Sequence, residues 1–304
     1  MKQVFLIIVS IFSSIAVYPC DLCNDFVGFD TGYKQNAIGI MFSTSCFKGR
    51  HSHENEVQNH SHSSNSLLIE QYKTWSAWGR WYFMDKFNFL AKVNFSDNYE
   101  MSNTNEIDRI SGVGDLTLLV NYLLLNDKVF DEAGGCKHLL IAGLGCVAPT
   151  GQYQKINTNG ELNPLMQPGT GAFGGLFNVQ YVIRKEKLSF NSLLDYRVNA
   201  YNIDKYRISN SFNCTSLISY ELISSSFNLQ ASGGAFFEQA GMDLQDNMYL
   251  SNTGGAAVFA HLGLDVYIKQ ISIGAAGRLP VYEKLNGIQG NNQARIVVRS
   301  RVAF

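Results

Sequence analysis

The chain has 304 residues, with 24 Lys+Arg against 25 Asp+Glu and a formal net charge of -1, so it carries no basic footprint for nucleic acid. Hydrophobic residues make up 46% and mean hydropathy is -0.05, values typical of a soluble protein, yet alternating polar and apolar residues average to the same neutrality in a membrane barrel. With 27 Gly, 20 Phe and 15 Tyr against 5 Pro, the composition suits one large all-β domain rather than two ordinary ones.

The first residues, MKQVFLIIVSIFSSIA, combine an early lysine, an apolar run from Val4 to Phe12 and small residues at Ser14 and Ala16, which predicts a signal peptide over 1–16 and export. A lipid anchor on Cys20 is the competing reading, although Val17, Tyr18 and Pro19 lack the small residue that such processing favours. Residues 17–33 form an N-terminal segment, periplasmic or plug-like, holding the thiol pair Cys20 and Cys23 in CDLC; a local disulfide, incidental thiols, or a metal or redox role all fit that spacing. Beyond the leader no apolar run is long enough for a membrane helix.

From residue 34 to the end the sequence alternates with a period of two. Phe89, Ala91, Val93 and Phe95 oppose Asn88, Lys92 and Asn94; Leu116, Leu118, Val120 and Tyr122 oppose Asp115, Thr117 and Asn121. Later stretches repeat this, down to QARIVVRSRVAF at the C-terminus, where Ile296, Val298 and Val302 oppose Arg295, Arg299 and Arg301. Strands are predicted at about 35–47, 68–82, 87–97, 114–125, 137–148, 171–184, 188–199, 210–221, 226–238, 254–268, 270–281 and 293–304. About twelve strands, an even number, suit a transmembrane antiparallel up-and-down β-barrel over 34–304. Short connections (MDKF, RKEK, ELISSS, KQ) alternate with long ones at 48–66, 98–113, 149–170, 200–209, 239–253 and 282–292, with 126–136 a longer exception on the short side. A soluble sandwich also alternates but has no need of a last strand running unbroken to Phe304. In a closed barrel that strand pairs with the first, because an open edge in lipid leaves backbone groups unsatisfied. Trp75, Trp78, Trp81 and Tyr82 are expected to anchor an interface.

The stretches GVGDLTLLVNY (Gly112 to Tyr122), LGCVAPTGQY (Leu144 to Tyr153) and NPLMQPGTGAFGGLFNVQY (Asn163 to Tyr181) resemble the G-x-G-D, P-T-G and P-G-T-G landmarks of a family of outer-membrane transporters. That family includes barrels encoded with phenol-degradation pathways and is distantly comparable to the long-chain fatty-acid transporters. The resemblance implies an outer-membrane barrel transporter, and the terminal aromatic resembles the signal that hands such proteins to the barrel assembly machinery.

Chemistry-bearing residues gather in two places. The 49–65 loop holds His51, His53, His60 and His62, four of the six histidines, with Glu54 and Glu56 between them, a donor set suited to Zn or Cu; a solvated outer loop with accidental bias fits equally. The polar strand phase supplies Lys92, Asp115, Asp195, Arg197, Asp265, Arg278, Arg295, Arg299 and Arg301 as candidate pore-lining charges. Such charges either tune a water-filled pore or form a paired network that stiffens or blocks it. Asp265 lies four residues from His261 on one strand face, about 13 Å away, too far for a hydrogen bond. No serine has a histidine placed beside it and no phosphate-cradling motif occurs, so an enzyme is not expected. The expected function is a passive outer-membrane channel or transporter for small solutes, contacting outer-membrane lipid; the alternatives are a metal-handling barrel and a non-conducting structural or adhesive one.

Overall fold

The computed structural model describes residues 35–51, 66–102, 105–126, 135–156, 162–224 and 226–304. Residues 1–34, with the expected signal peptide, Cys20 and Cys23, and residues 52–65, with His53, Glu54, Glu56, His60 and His62, lie outside them. The strands are β1 (Ala37–His51), β2 (Ser66–Met84), β3 (Phe87–Ser102), β4 (Asn105–Val113), β5 (Leu116–Asn126), β6 (Lys137–Ala148), β7 (Gly174–Lys185), β8 (Leu188–Asn199), β9 (Tyr206–Arg207), β10 (Ser211–Ser224), β11 (Asn228–Ala240), β12 (Leu244–Gln245), β13 (Met248–Tyr249), β14 (Gly255–Ile268), β15 (Ile271–Leu285), β16 (Asn291–Asn292) and β17 (Arg295–Ala303).

The main sheet has 14 strands; β4 runs on into β5 and β16 into β17, so the wall is a closed 12-strand antiparallel barrel. Closure occurs at β1, which pairs with β17 (Ala37↔Ala303 through Thr44↔Ile296) and with β2 (Ala37↔Arg80 through His51↔Ser66). The end is pinned: the Ala303 amide donates to the Gln270 carbonyl (2.8 Å) and the Phe304 amide to the Asn36 carbonyl (2.9 Å). The turns at Asp85–Lys86, Glu186–Lys187 and Lys269–Gln270 share that end of the barrel, as do the ends of β5 and β6 that face each other there, while the connections between β8 and β10, β11 and β14, and β15 and β17 lie at the other. Two of those carry a small second sheet, β13-β12-β9.

Burial alternates as the sequence does, the pattern being iBiB at the start of both β3 and β5, and the exposed large side chains are Ile, Leu, Val and aromatics on the outward phase. Two aromatic belts bound this face. Phe42, Trp75 and Phe95 form one, with centroids 5.2 and 6.0 Å apart; Phe83, Phe87 and Tyr122 form the other, at 5.8 and 4.8 Å. From Trp75 to Phe83, residues at about 3.3 Å each along tilted strands cover most of the roughly 25 Å apolar height of such barrels. Trp75 and Trp81 face outward as expected, but Trp78 does not: it sits on the inward phase, its ring laid over Gly39.

The expected loop at 98–113 is also corrected. β3 and β4 continue as a paired hairpin well past the Trp75 row, Phe95↔Val113 through Ser102↔Asn105. Beyond the membrane both faces of a strand are wet, so Asp97, Tyr99 and Arg109 occupy the outward face and the alternation fades although the ladder persists. There the Arg109 guanidinium is bidentate to Asp97 (2.8 and 2.9 Å), and that hydrogen bond holds the Asp97 carboxyl below its usual range.

A Cβ at Gly39 would lie 2.6 Å from the Ser300 carbonyl oxygen and from the Trp78 ring, at the closing seam. Gly39→Val is therefore expected to lower barrel stability by about 1–3 kcal/mol, measured as the temperature at which the folded band is lost on a heat-modifiability gel, with Ile38→Val nearly silent.

Candidate functional site: the lumen and its latched loop

The wall is interrupted at Gly114–Asp115, between β4 and β5, where the Asp115 side chain turns inward and is only 8% exposed. Its carboxylate gathers the two other glycine-rich stretches. The Gly151 amide donates to Oδ1 (2.9 Å), while the Thr170 amide (2.8 Å) and hydroxyl (2.6 Å) both donate to Oδ2. Backbone bonds extend the junction: Leu116 amide to Thr150 Oγ1 (3.0 Å), Gln152 amide to the Val113 carbonyl (2.7 Å) and Gly169 amide to the Gln152 carbonyl (3.0 Å). The glycines are needed because three backbones touch. A Cβ at Gly151 would stand 2.6 Å from the Gly114 carbonyl carbon, and one at Gly169 2.9 Å from Gly151.

Held at its base, the 149–173 connection turns its described residues, 149–156 and 162–173, into the lumen. A single 3-10 turn, Pro164–Met166, is capped by Asn163, whose Oδ1 accepts from the Leu165 amide (3.1 Å). Gln167 staples the two arms: its Oε1 accepts from the Lys155 amide (2.9 Å), and its Nε2 donates to the Lys155 carbonyl (2.8 Å). Across the lumen Asn98 Nδ2 donates to the Met166 carbonyl (2.9 Å), and the Lys155 ammonium reaches the Ser111 carbonyl. The Tyr153 hydroxyl accepts from Asn202 Nδ2 (2.6 Å) and is pushed up to about 12, first by burial and then by the charge of Asp204. Between this loop and the wall lies a cavity of about 80 Å³, bordered by Lys92, Asp195, Arg197 and Asn98 on one hand and Val147, Leu165 and Leu176 on the other.

The predicted charges divide by location. On β11 to β17 they are paired: Arg295 is bidentate to Glu238 (2.7 and 2.6 Å) with both side chains buried, and its guanidinium lies 4.2 Å from the Phe259 ring centroid. Arg299 is bidentate to Asp265 (2.9 and 2.6 Å). Arg278 lies 4.0 Å over Phe236 and donates to His261 Nδ1 (3.3 Å), the partner that the His261–Asp265 spacing left open. On the cavity side Asp195 accepts from Asn178 (2.6 Å) and Arg197 donates to Asn199 (2.7 Å), while Lys92 is buried; Arg301, on β17, is half-buried. Asp115 belongs to the latch rather than to an ion pair. His51 ends β1, and among the described residues no group of three or more ligating side chains could hold a metal ion.

Sequence reasoning missed an apolar strip on the inner wall, where Leu90, Leu119, Val147, Leu176 and Leu193 of β3, β5, β6, β7 and β8 form one buried cluster. Its signal is present as the doublets Leu118-Leu119 and Leu193-Leu194, where an apolar residue intrudes on the polar phase. It also missed a row of carboxylates beyond the outer belt. Glu70, Glu100 and Asp108 lie in register across β2, β3 and β4, on the face turned to the barrel axis. Burial, with the charge of Glu100 second, pushes the Glu70 carboxyl up from 4.5 to about 7.

Residues 47–274 match the family described as "Putative MetA-pathway of phenol degradation". The chain belongs to that family. Among solved structures it resembles the COG4313 outer membrane channel from Pseudomonas putida F1, with a TM-score of 0.65 at 14% identity, covering 91% of this chain and 100% of that one. A FadL homologue from Pseudomonas aeruginosa is more distant, with a TM-score of 0.45 at 9% identity over 88% of this chain and 90% of that one, too slight a likeness to bear on function. No curated protein matches the chain. The fold is that of the Pseudomonas putida outer membrane channel.

Two outcomes are expected. Asp115→Ala strands two amides and a hydroxyl, each formerly bonded to a charged oxygen and worth about 1.5–3 kcal/mol; trypsin cleavage after Lys155 in the folded barrel should accelerate at least about tenfold, with Asp115→Asn intermediate. For Glu70, the folded pKa lies above the unfolded one, so the folded state holds the extra proton between about 4.5 and 7 and stability falls as pH rises through that window. Glu70→Gln should therefore raise the unfolding midpoint at pH 8 and leave it unchanged near pH 4.

Proposed function

We propose that the protein is a passive outer-membrane channel for small solutes, narrowed by its own inward-folded 149–173 loop. The observation that carries this reading is the cavity between that loop and the wall, which places amides and charges opposite leucine and valine side chains inside a barrel whose exterior suits lipid. A solute of modest size with one polar end can be desolvated there in parts, the ring or chain against the inner strip and the polar end against Asn98, Lys92 and Arg197. The family description ties the group to phenol degradation, so phenol and small phenolic solutes head the test set. In this reading residues 1–16 direct export to a Gram-negative envelope, 17–33 form a periplasmic or plug-like segment, and the barrel assembly machinery receives the strand that ends at Phe304.

The relevant measurement is permeation by the full mature protein in planar bilayers and swelling liposomes. Wild type should admit small phenolic solutes without an energy source and exclude larger sugars. Asp115→Ala, by freeing the loop, should raise conductance several-fold and relax the size limit. A barrel that passes neither ions nor solutes, with or without the latch, would leave a structural or adhesive role instead.

A further inference from the structure

The outer wall carries a notch that the channel reading does not use. Along the outward face, five residues sit in register in an upper row, Val298, Phe42, Trp75, Phe95 and Val113 on β17, β1, β2, β3 and β4. One row closer to the short turns come Ile273, Ser300, Ile40, Ala77 and Val93 on β15, β17, β1, β2 and β3. The small side chains of Ser300 and Ala77 interrupt the lower row, and bulky residues flank them. The result is an apolar groove of about 380 Å³, with the Trp75 indole and Phe42 ring at its upper rim.

Above that rim the same face turns cationic. The next rows hold Lys73 beside Asp97, then Tyr99 beside Arg109, and Lys48 is exposed one row further on β1. The Lys73 ammonium lies 4.8 Å from the Tyr99 ring centroid, and Arg109 is anchored on Asp97 with its own side chain 55% exposed. Lys73 therefore stands one strand row, roughly 7 Å, and Arg109 two rows above the aromatic rim, with Asp97 between them; Lys48 lies a row further, in register with Ile69, Met101 and Glu106. Rows of lipid-facing strands elsewhere need only be apolar; this one joins a chain-sized groove to a positive cluster at headgroup height.

We infer that this face is a binding site for a phosphorylated, acylated glycolipid of the outer leaflet, one acyl chain lying in the Ser300–Ala77 notch and a phosphate resting on Lys73 and Arg109. Arginine and lysine suit phosphate oxygens, and the fixed Asp97 orients the guanidinium without cancelling the cluster. The zwitterionic headgroup of a phosphatidylethanolamine offers less to Lys73 and Arg109 than a sugar phosphate does. The inference rests on the reading that the long-connection end of the barrel faces outward from the cell.

Native mass spectrometry of the full mature protein in detergent, titrated with bisphosphorylated lipid A, dephosphorylated lipid A and phosphatidylethanolamine, tests it. Wild type should retain the bisphosphorylated lipid at least about tenfold better than the other two. The Lys73→Gln, Arg109→Gln double variant should lose that preference, and Ala77→Trp, which fills the notch, should weaken retention of both lipid A forms. Heat-modifiable gel mobility identifies the variants that remain folded; should the charge variant fail to fold, Ala77→Trp alone decides. Equal retention of all three lipids by wild type, or unchanged retention by the folded variants, overturns the site. Binding is read in detergent, so it stands or falls apart from channel activity; protease access to the loops on intact cells reads the orientation separately.

Discussion

In the hydrocarbon core of a bilayer no water can bond an exposed amide or carbonyl, and every such group left open costs several kcal/mol. The seam at β1 is where this sheet meets that demand. β1 pairs along its length with β2 and on its other side with β17, and the amides of Ala303 and Phe304 are both taken up by carbonyls of neighbouring segments. Close approach at the seam in turn requires Gly39, because the Trp78 ring and the Ser300 carbonyl occupy the space a side chain would need. One electrostatic demand thus propagates into a choice of residue type on three neighbouring strands.

Closure fixes the diameter, and the diameter poses the next problem. Eight strands leave a space that side chains can fill, while sixteen or more leave an aqueous channel; 12 strands fall between. The protein fills the difference unevenly. Along β11 to β17 the interior is occupied by arginines: Arg295 and Arg299 are bonded to the carboxylates of Glu238 and Asp265, and Arg278 and Arg295 are stacked on Phe236 and Phe259. Along β3 to β8 it is occupied by leucines and by a loop folded in from the far end. The cavity survives on this second side, between the loop and the wall from β2 to β10.

How much of this was legible in the chain depended on which solvent each residue meets. The transmembrane strands could be read because lipid forces every second residue to be apolar, and the edges came out within a few residues at most positions. β4 could not, since outside the membrane Asp97 and Arg109 are as welcome on one face as the other and the ladder leaves no hydrophobic trace. The inward charges were visible as residues but not as pairs: that Arg295 meets Glu238 and Arg299 meets Asp265 follows from register across several strands, which alternation alone does not specify. Leu119 and Leu193 were hidden by their neighbours, because a doublet of leucines reads first as an imperfect outward face.

The landmark glycines were legible as a motif long before their purpose was. Gly112, Gly114, Gly151, Gly169 and Gly171 look like turn residues in the sequence, yet at Gly114, Gly151 and Gly169 the governing fact is contact between backbones, and only at Gly171, with φ +65 against the Tyr153 ring, is it conformation. Asp115 explains why those backbones can be so close. A buried carboxylate needs donors, and amides of a folded loop are donors that bring no neutralising charge; the loop in turn needs a fixed acceptor on the wall to give up its freedom in water. Each side satisfies what the other would otherwise leave open. A latch of that kind narrows the lumen without any lysine or arginine at its base, which leaves Lys92, Arg197 and Asp195 as the charges that border the cavity.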